Sequence, residues 1–317
     1  MRFAWVGVHA EGIPALEALL DAGAPVSGVL TLTPELAAKR SAAANYFPVC
    51  ARYGVPLHYI PDINAPRAVG ILRDLKPDVV FVIGWHQIVR PATLRLARVG
   101  MVGAHASLLP HNRGSAPINW ALIRGERETG NTLFWLTEDV DAGSIIDQTA
   151  FPITPYDTCA TLYQQVAMSN RDMLLRLVAR LLGGERPGRP QPAIDEPVLP
   201  RRRAADGLVS WARFSAHGLY DFIRALTRPY PGAFSTLDGR RWLLWRAALP
   251  PNETARAAPP GTVLGPVVGP VEEACGQLVT CATGAVILLE VEDADGRVLC
   301  GRALSEQPWA GRRWADG

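Results

Sequence analysis

The chain has 317 residues, 48% apolar and 20% charged, with a formal net charge of +2. That length fits two ordinary domains, and that balance excludes a disordered chain. A net charge so close to zero gives no strong field for nucleic acid or an anionic membrane. Five cysteines (Cys50, Cys159, Cys275, Cys281 and Cys300) form no CxxC pair, which speaks against a disulfide framework or a zinc ribbon. The opening residues, MRFAWVG, read as a strand and not as a signal peptide. The longest apolar runs, about seven residues, fall short of a membrane span. A cytoplasmic protein is expected.

In chain order, the first half alternates strand and helix. Residues 3–8 (FAWVGV) form a short apolar run, and Ile13, Leu16, Leu19 and Leu20 follow at helical spacing up to Gly23. Residues 26–32 predict a second strand. Residues 78–83 (DVVFVI) are apolar throughout after the Asp, the pattern of a strand buried on both faces of a parallel sheet. Residues 99–104 predict another strand. Such repeated units argue for an α/β, Rossmann-like doubly wound sheet. Thr158 is placed to cap a long helix whose stripe runs through Leu162, Val166, Leu174, Leu177 and Leu181 to Gly183-Gly184.

Residues 185–205 hold five prolines and the run Arg201-Arg202-Arg203, the composition of a linker. A helix over 214–226 follows. Short β-like runs (WLLW, GTVLG, QLVTCA, VILLEV) then alternate with turns, as in a small OB-like β-barrel. The expected organisation is a catalytic domain over 1–190, a linker over 191–206 and a C-terminal domain over 207–317, with a loose tail from about Ser305.

Chemistry concentrates in residues 103–144. His105 closes a predicted buried strand, and ligands of such sheets bind outside the carboxyl ends of the strands. A Ser107-Leu108-Leu109-Pro110 corner follows, then Arg113-Gly114 and Ala116-Pro117, and further on Asp139-Val140-Asp141-Ala142-Gly143. A carboxylate beside a strand-end His fixes its tautomer and makes an acid/base pair. A lone His and Asp would more often be structural. The ordered motif between them reverses that weighting.

That motif, HxSLLPxxRGxAPxxWAxxxGExxTGxTLxxxxxxxDAG, resembles the folate-dependent formyltransferase family. The family includes methionyl-tRNA formyltransferase and the amino-sugar N-formyltransferases, such as the domain acting on UDP-4-amino-4-deoxy-L-arabinose. Lys76-Pro77-Asp78-Val79-Val80, Gly207-Leu208-Val209-Ser210-Trp211 and Pro231-Gly232-Ala233-Phe234 extend the resemblance over most of the chain. It implies 10-formyltetrahydrofolate as formyl donor and a primary amine as acceptor. It also implies His105 as general acid/base and Asp141 as the carboxylate that tunes it. Gln87, Ile88 and Val89 would line the pterin pocket, and Thr137, Glu138, Asp139, Val140 and Asp141 would form its other wall. The family carries an oxyanion-donating Asn two residues before the His, and here that position is Gly103. The missing donor leaves room for a replacement group, altered one-carbon chemistry, or a folate-binding protein without turnover.

The resemblance also turns the loop after the first strand toward the acceptor, so His9 and Glu11 are candidate substrate contacts beside a solvated-loop reading. Arg113 is a further candidate that organises its own loop. Residues 33–45 hold only Lys39 and Arg40 as cations, too few for a tRNA-directed insertion. A nucleotide-linked amino sugar is therefore the expected acceptor, with methionyl-tRNA as the alternative. A homodimer is expected by resemblance to the sugar-directed members. The spacings of His86, His105 and His111 match no metal-binding motif, so no metal is expected.

Overall fold

The computed structural model describes residues 1–251 and 258–316. The chain divides into two compact units, each built on its own sheet. The first comprises Met1–Ile118, Glu128–Ile153 and Thr161–Arg201. The second comprises Asn119–Arg127, Thr154–Ala160 and the chain from Arg202 onward. Residues 119–127 and 154–160 thus group with the second unit, although they precede residue 190.

The first half of the chain runs β1 (Phe3–Val6), α1 (Ile13–Asp21), β2 (Val26–Leu32), α2 (Pro34–Ala37), α3 (Phe47–Tyr53), β3 (Leu57–Ile60), α4 (Pro66–Leu75), β4 (Val79–Val82), α5 (Pro91–Leu94) and β5 (Gly100–His105). It continues with α6 (Pro117–Ile123), β6 (Glu128–Trp135), β7 (Ile145–Pro152) and α7 (Cys159–Leu182). The seven strands lie in the order β3-β2-β1-β4-β5-β6-β7. β1 to β5 pair in parallel, whereas β6 runs antiparallel to β5 and β7 antiparallel to β6. Strand order reverses between β1 and β4, the switch point at which such sheets open a crevice.

The apolar strands are explained by burial on both faces. Phe3 and Trp5 of β1 and Phe81 of β4 point into one core with Leu16 and Leu19 of α1 and Leu174, Leu177 and Leu181 of α7. Their neighbours Ala4, Val6, Val80 and Val82 point into another with Ala68 and Leu72 of α4. Met101 of β5 belongs to this second core. Side chains alternate along a strand, so Gly103 and His105 lie on the Met101 face. Truncating a side chain as buried as Leu72 is worth about 2–5 kcal/mol.

The second unit holds α8 (Ala216–Leu226), β8 (Ala233–Leu237), β9 (Arg240–Ala248), β10 (Val263–Val267), β11 (Gly276–Thr280), β12 (Ala285–Asp293), β13 (Val298–Cys300) and α9 (Gly301–Ser305). The path β10-β11-β12-β9-β8 is antiparallel, and β13 pairs with β12. The C-terminal segment bridges both outer strands, Trp314 to Leu237 and Arg313 to Thr262, which closes the sheet into a barrel. Trp314 stacks on Trp211, with ring centroids 5.9 Å apart, and Trp309 is buried beside it. The tail is therefore core, and the expectation of loose chain beyond Ser305 is corrected: two tryptophans bury too much apolar surface to leave in water.

The expectation of a linker is corrected for residues 187–199, which pack onto the first unit. Trp135 Nε1 donates to the Pro187 carbonyl at 2.6 Å, Arg189 exchanges backbone hydrogen bonds with Ile145, and Leu199 bridges to Gly114. Prolines here set an extended path without preventing the carbonyls and the remaining N–H groups from pairing. All five cysteines are free. Among the described residues no helix is long and apolar enough to cross a membrane.

Candidate active site

β5 ends at His105, which is 7% exposed. Its Nδ1 lies 3.5 Å from Asp141 Oδ2. Its Nε2 lies 2.7 Å from the Asn112 carbonyl. A carbonyl only accepts, so Nε2 carries a proton, and Nδ1 is the nitrogen left to exchange one beside the carboxylate. Gly114 N donates to Asp141 Oδ2 at 2.9 Å, which fixes the carboxylate from a second side. Asp141 itself sits in the left-handed region, at φ 51°, an arrangement that must be held by its neighbours. The structure thus brings His105 and Asp141 together. The Arg113 guanidinium donates to Gln191 Oε1 at 2.7 Å, a contact that organises its loop. Asn112 enters as a backbone acceptor, while Asn119 donates to the Ala225 carbonyl within the second unit.

Gln87, Ile88 and Val89 follow β4. Gln87 accepts from Ile63 N at 2.9 Å and donates to the Pro61 carbonyl at 3.0 Å. Asn64 donates to the Ile88 carbonyl and accepts from Arg90 N. These two side chains tie the loop after β3 to the loop after β4, and Asn64 carried no sequence signal. Val89 is buried and shares a core with Leu136, at the start of the loop holding Thr137, Glu138, Asp139 and Val140. Those four are exposed. Ile88 and Val140, one on each loop, are 66% and 44% exposed, and such apolar side chains suit the faces of a flat aromatic ring.

At Gly103 an added Cβ would lie 2.6 Å from Leu136 Cδ2 and 3.2 Å from two ring carbons of Phe134. The space that a side chain at 103 would enter is therefore filled by Leu136, a residue the sequence did not single out.

The formyl transferase family model matches residues 15–178, and the model of the formyl transferase C-terminal domain matches residues 202–307. The chain belongs to the formyl transferase family. Solved structures share its fold at low identity. One is HypX from Aquifex aeolicus in complex with tetrahydrofolic acid, at 19% identity and TM-score 0.64 over 95% of this chain and 46% of that one. This chain thus spans about half the length of HypX. A second is WlaRD, a sugar 3N-formyl transferase solved with dTDP and 5-N-formyl-THF, at 14% identity and TM-score 0.65 over 93% and 98% of the two chains. A third is the N-formyltransferase from Helicobacter canadensis in complex with folinic acid and dTDP-3-aminofucose, at 16% identity and TM-score 0.67 over 90% and 98%.

A second polar cluster stands at the switch point between β1 and β4. The loop after β1 carries His9 and Glu11, both partly buried, which corrects the solvated-loop reading. Gly84, at φ 61°, passes close to both: a Cβ there would lie 2.9 Å from His9 Cβ and 3.2 Å from Glu11 Cγ. Burial, and then the Arg40 cation, push His9 down to about 4. Burial pushes the Glu11 carboxyl up to about 7. Burial, and then the charges of Arg40, His9 and Arg201, push His86 down to about 4. Near neutral pH this cluster holds two uncharged imidazoles and a carboxyl poised to give or take a proton. Trp85 Nε1 and His86 Nδ1 are buried without a hydrogen-bond partner. His86 and Trp85 follow β4 directly, where the rule that places ligands beyond strand ends looks for them. Gln191, Leu136 and Asn64 carried no such signal.

Proposed function

We propose that the protein is an N-formyltransferase. It moves the formyl group of 10-formyltetrahydrofolate to the primary amine of a small molecule, with a nucleotide-linked amino sugar as the acceptor class. The observation that carries this reading is the His105–Asp141 pair at the carboxyl end of β5 in a chain matched by both formyl transferase models. The folate cofactors named with HypX, WlaRD and the Helicobacter canadensis enzyme support the donor, and the dTDP ligands of the last two support the acceptor class.

In this reading the amine nitrogen attacks the formyl carbon and forms a new C–N bond. The nitrogen sheds a proton to His105, the C–N bond to the folate breaks, and His105 returns the proton to the departing nitrogen. Asp141 holds the ring and balances its charge in the protonated state. The loops at 87–89 and 137–141 hold the pterin, with Ile88 and Val140 offering apolar surface. His9, Glu11 and Arg113 are the candidate acceptor contacts.

One observation favours a second reading. Residue 103 is a glycine with Leu136 packed against it, so no side-chain amide stands two residues before His105 to stabilise the developing oxyanion. A folate-binding member with altered or absent transfer fits that feature. Calorimetric titration with 5-formyltetrahydrofolate tests the donor site. Micromolar binding supports it, and turnover in a screen of nucleotide-linked amino sugars separates the first reading from the second. Absence of folate binding sinks both. Steep salt-dependent binding of tRNA would redirect the acceptor to methionyl-tRNA.

A further inference from the structure

Both ring nitrogens of His105 face groups that the segment 187–199 holds in place. On the Nδ1 side stands Asp141. Gln191 Nε2 donates to the Asp141 carbonyl and to the Gly143 carbonyl, each at 2.8 Å. Gln191 Oε1 accepts from Arg113 at 2.7 Å. One side chain therefore pins both the Asp141 turn and the loop that supplies Gly114 N to the same carboxylate. On the Nε2 side stands the Asn112 carbonyl. Glu196 Oε1 accepts from Asn112 N at 3.4 Å, and Glu196 Oε2 lies 3.0 Å from His111 Nδ1. Between these two contacts and the end of the segment, Leu199 N donates to the Arg113 carbonyl at 2.7 Å and Ser115 N donates to the Leu199 carbonyl at 3.1 Å. Asn112 and Asp141 both have positive φ, at 56° and 51°. Non-glycine residues keep that conformation only where their surroundings over-determine it.

We propose that residues 187–199 form a strap that positions the imidazole of His105, with Gln191 and Glu196 as positioning residues for the transfer reaction. Gln191 sets the carboxylate side and Glu196 sets the carbonyl side. The role rests on the reading of His105 as the proton-transfer group. A misplacement of about 1 Å in such a constellation costs on the order of 10²-fold in rate.

The test uses the full chain with its six histidines labelled with 15N, and His105 assigned through His105→Gln. Ring 15N shifts are read at one fixed pH in wild type, Gln191→Ala, Gln191→Glu, Asp141→Asn and the double variant Gln191→Ala/Asp141→Asn. Gln191→Glu keeps the size of the side chain and its acceptor for Arg113 but removes both donors, so it reports even where the Ala variant folds poorly. Both Gln191 variants are expected to move the His105 shifts toward those of Asp141→Asn, and Gln191→Ala is expected to add little on top of Asp141→Asn. Glu196→Ala, which removes the acceptor for Asn112 N, is expected to expose the Nε2 proton to solvent exchange, and wild-type exchange in that variant would overturn the part assigned to Glu196. Where wild type turns over, kcat falls at least about 10-fold in both Gln191 variants while KM for the acceptor holds. Wild-type His105 shifts in both Gln191 variants, or full additivity with Asp141→Asn, would overturn the strap's role. Failure of 5-formyltetrahydrofolate to bind wild type would count against the transferase reading alone, because the NMR arm needs no substrate.

Discussion

Gly103→Asn restores, at the position two residues before His105, the amide that the resembled family carries there, and Leu136 must shift to admit it. Its Cβ would stand 2.6 Å from Leu136 Cδ2, about 1 Å inside ordinary carbon–carbon contact. The Phe134 ring atoms at 3.2 Å close the other side. Overpacking of this kind costs about 1–3 kcal/mol, which lowers Tm by a few degrees in a unit of this size. Leu136→Ala opens the space, and because Leu136 is only partly buried its own cost should sit near the low end of about 2–5 kcal/mol. The double variant Gly103→Asn/Leu136→Ala should recover stability relative to the sum of the singles, since the amide fills what the leucine vacates. One preorganised oxyanion donor is worth about 10²–10³ in rate. Thermal unfolding and single-turnover formyl transfer on all four proteins give the readout, with 5-formyltetrahydrofolate binding as the control for an intact donor site. Strictly additive stabilities would show that Leu136 does not occupy the 103 space. A double variant that binds folate normally yet gains no rate would show that another group already stabilises the oxyanion.

Three further outcomes are expected. His105→Ala should lower transfer by about 10²–10⁴ while 5-formyltetrahydrofolate binding stays nearly unchanged in calorimetry, since the imidazole moves protons and does not hold the pterin. Glu11→Gln should change how stability depends on pH: a carboxyl raised to about 7 stabilises the fold fully below its ordinary value of 4.5 and loses that contribution as pH rises to 7. The variant should therefore gain up to about 3 kcal/mol on wild type between urea unfolding at pH 4.5 and at pH 8, and parallel curves would refute the shift. Gly114→Ala should cost about 2–4 kcal/mol and expose residues 187–199 to limited proteolysis, because φ there is 108° and a Cβ would lie 2.5 Å from the Leu199 carbonyl oxygen; a protease-resistant variant of wild-type stability would contradict it.

Periodicity made the scaffold legible. α7 was readable because its stripe repeats for six turns and stops at two glycines, and β4 because both of its faces are apolar and both are buried. β6 and β7 were not readable. β6 carries Gly130, whose missing side chain admits Leu108, and Asn131, fully buried against Ser169 and Asn170 of α7. A glycine and a buried amide erase the alternation that marks a strand. The barrel strands were visible as runs, but the tail that closes them was not, because Trp309 and Trp314 stand in a polar stretch with no period to carry them.

The site divides along the same line. His105, Asp141 and Arg113 fall in one ordered stretch, so the sequence could present them together. Gln191 and Glu196 act through individual hydrogen bonds from a segment whose composition reads as linker, and a single polar side chain has no pattern to betray it. Yet these are the contacts that hold both sides of the imidazole. A Pro-rich stretch is extended, and extension is what allows one segment to reach from Ile145 past Asp141 to Gly114 without secondary structure of its own. The same composition that marks a free linker therefore also suits a strap. What separates the two is whether its N–H and carbonyl groups find partners, and at Arg189 and Leu199 they do.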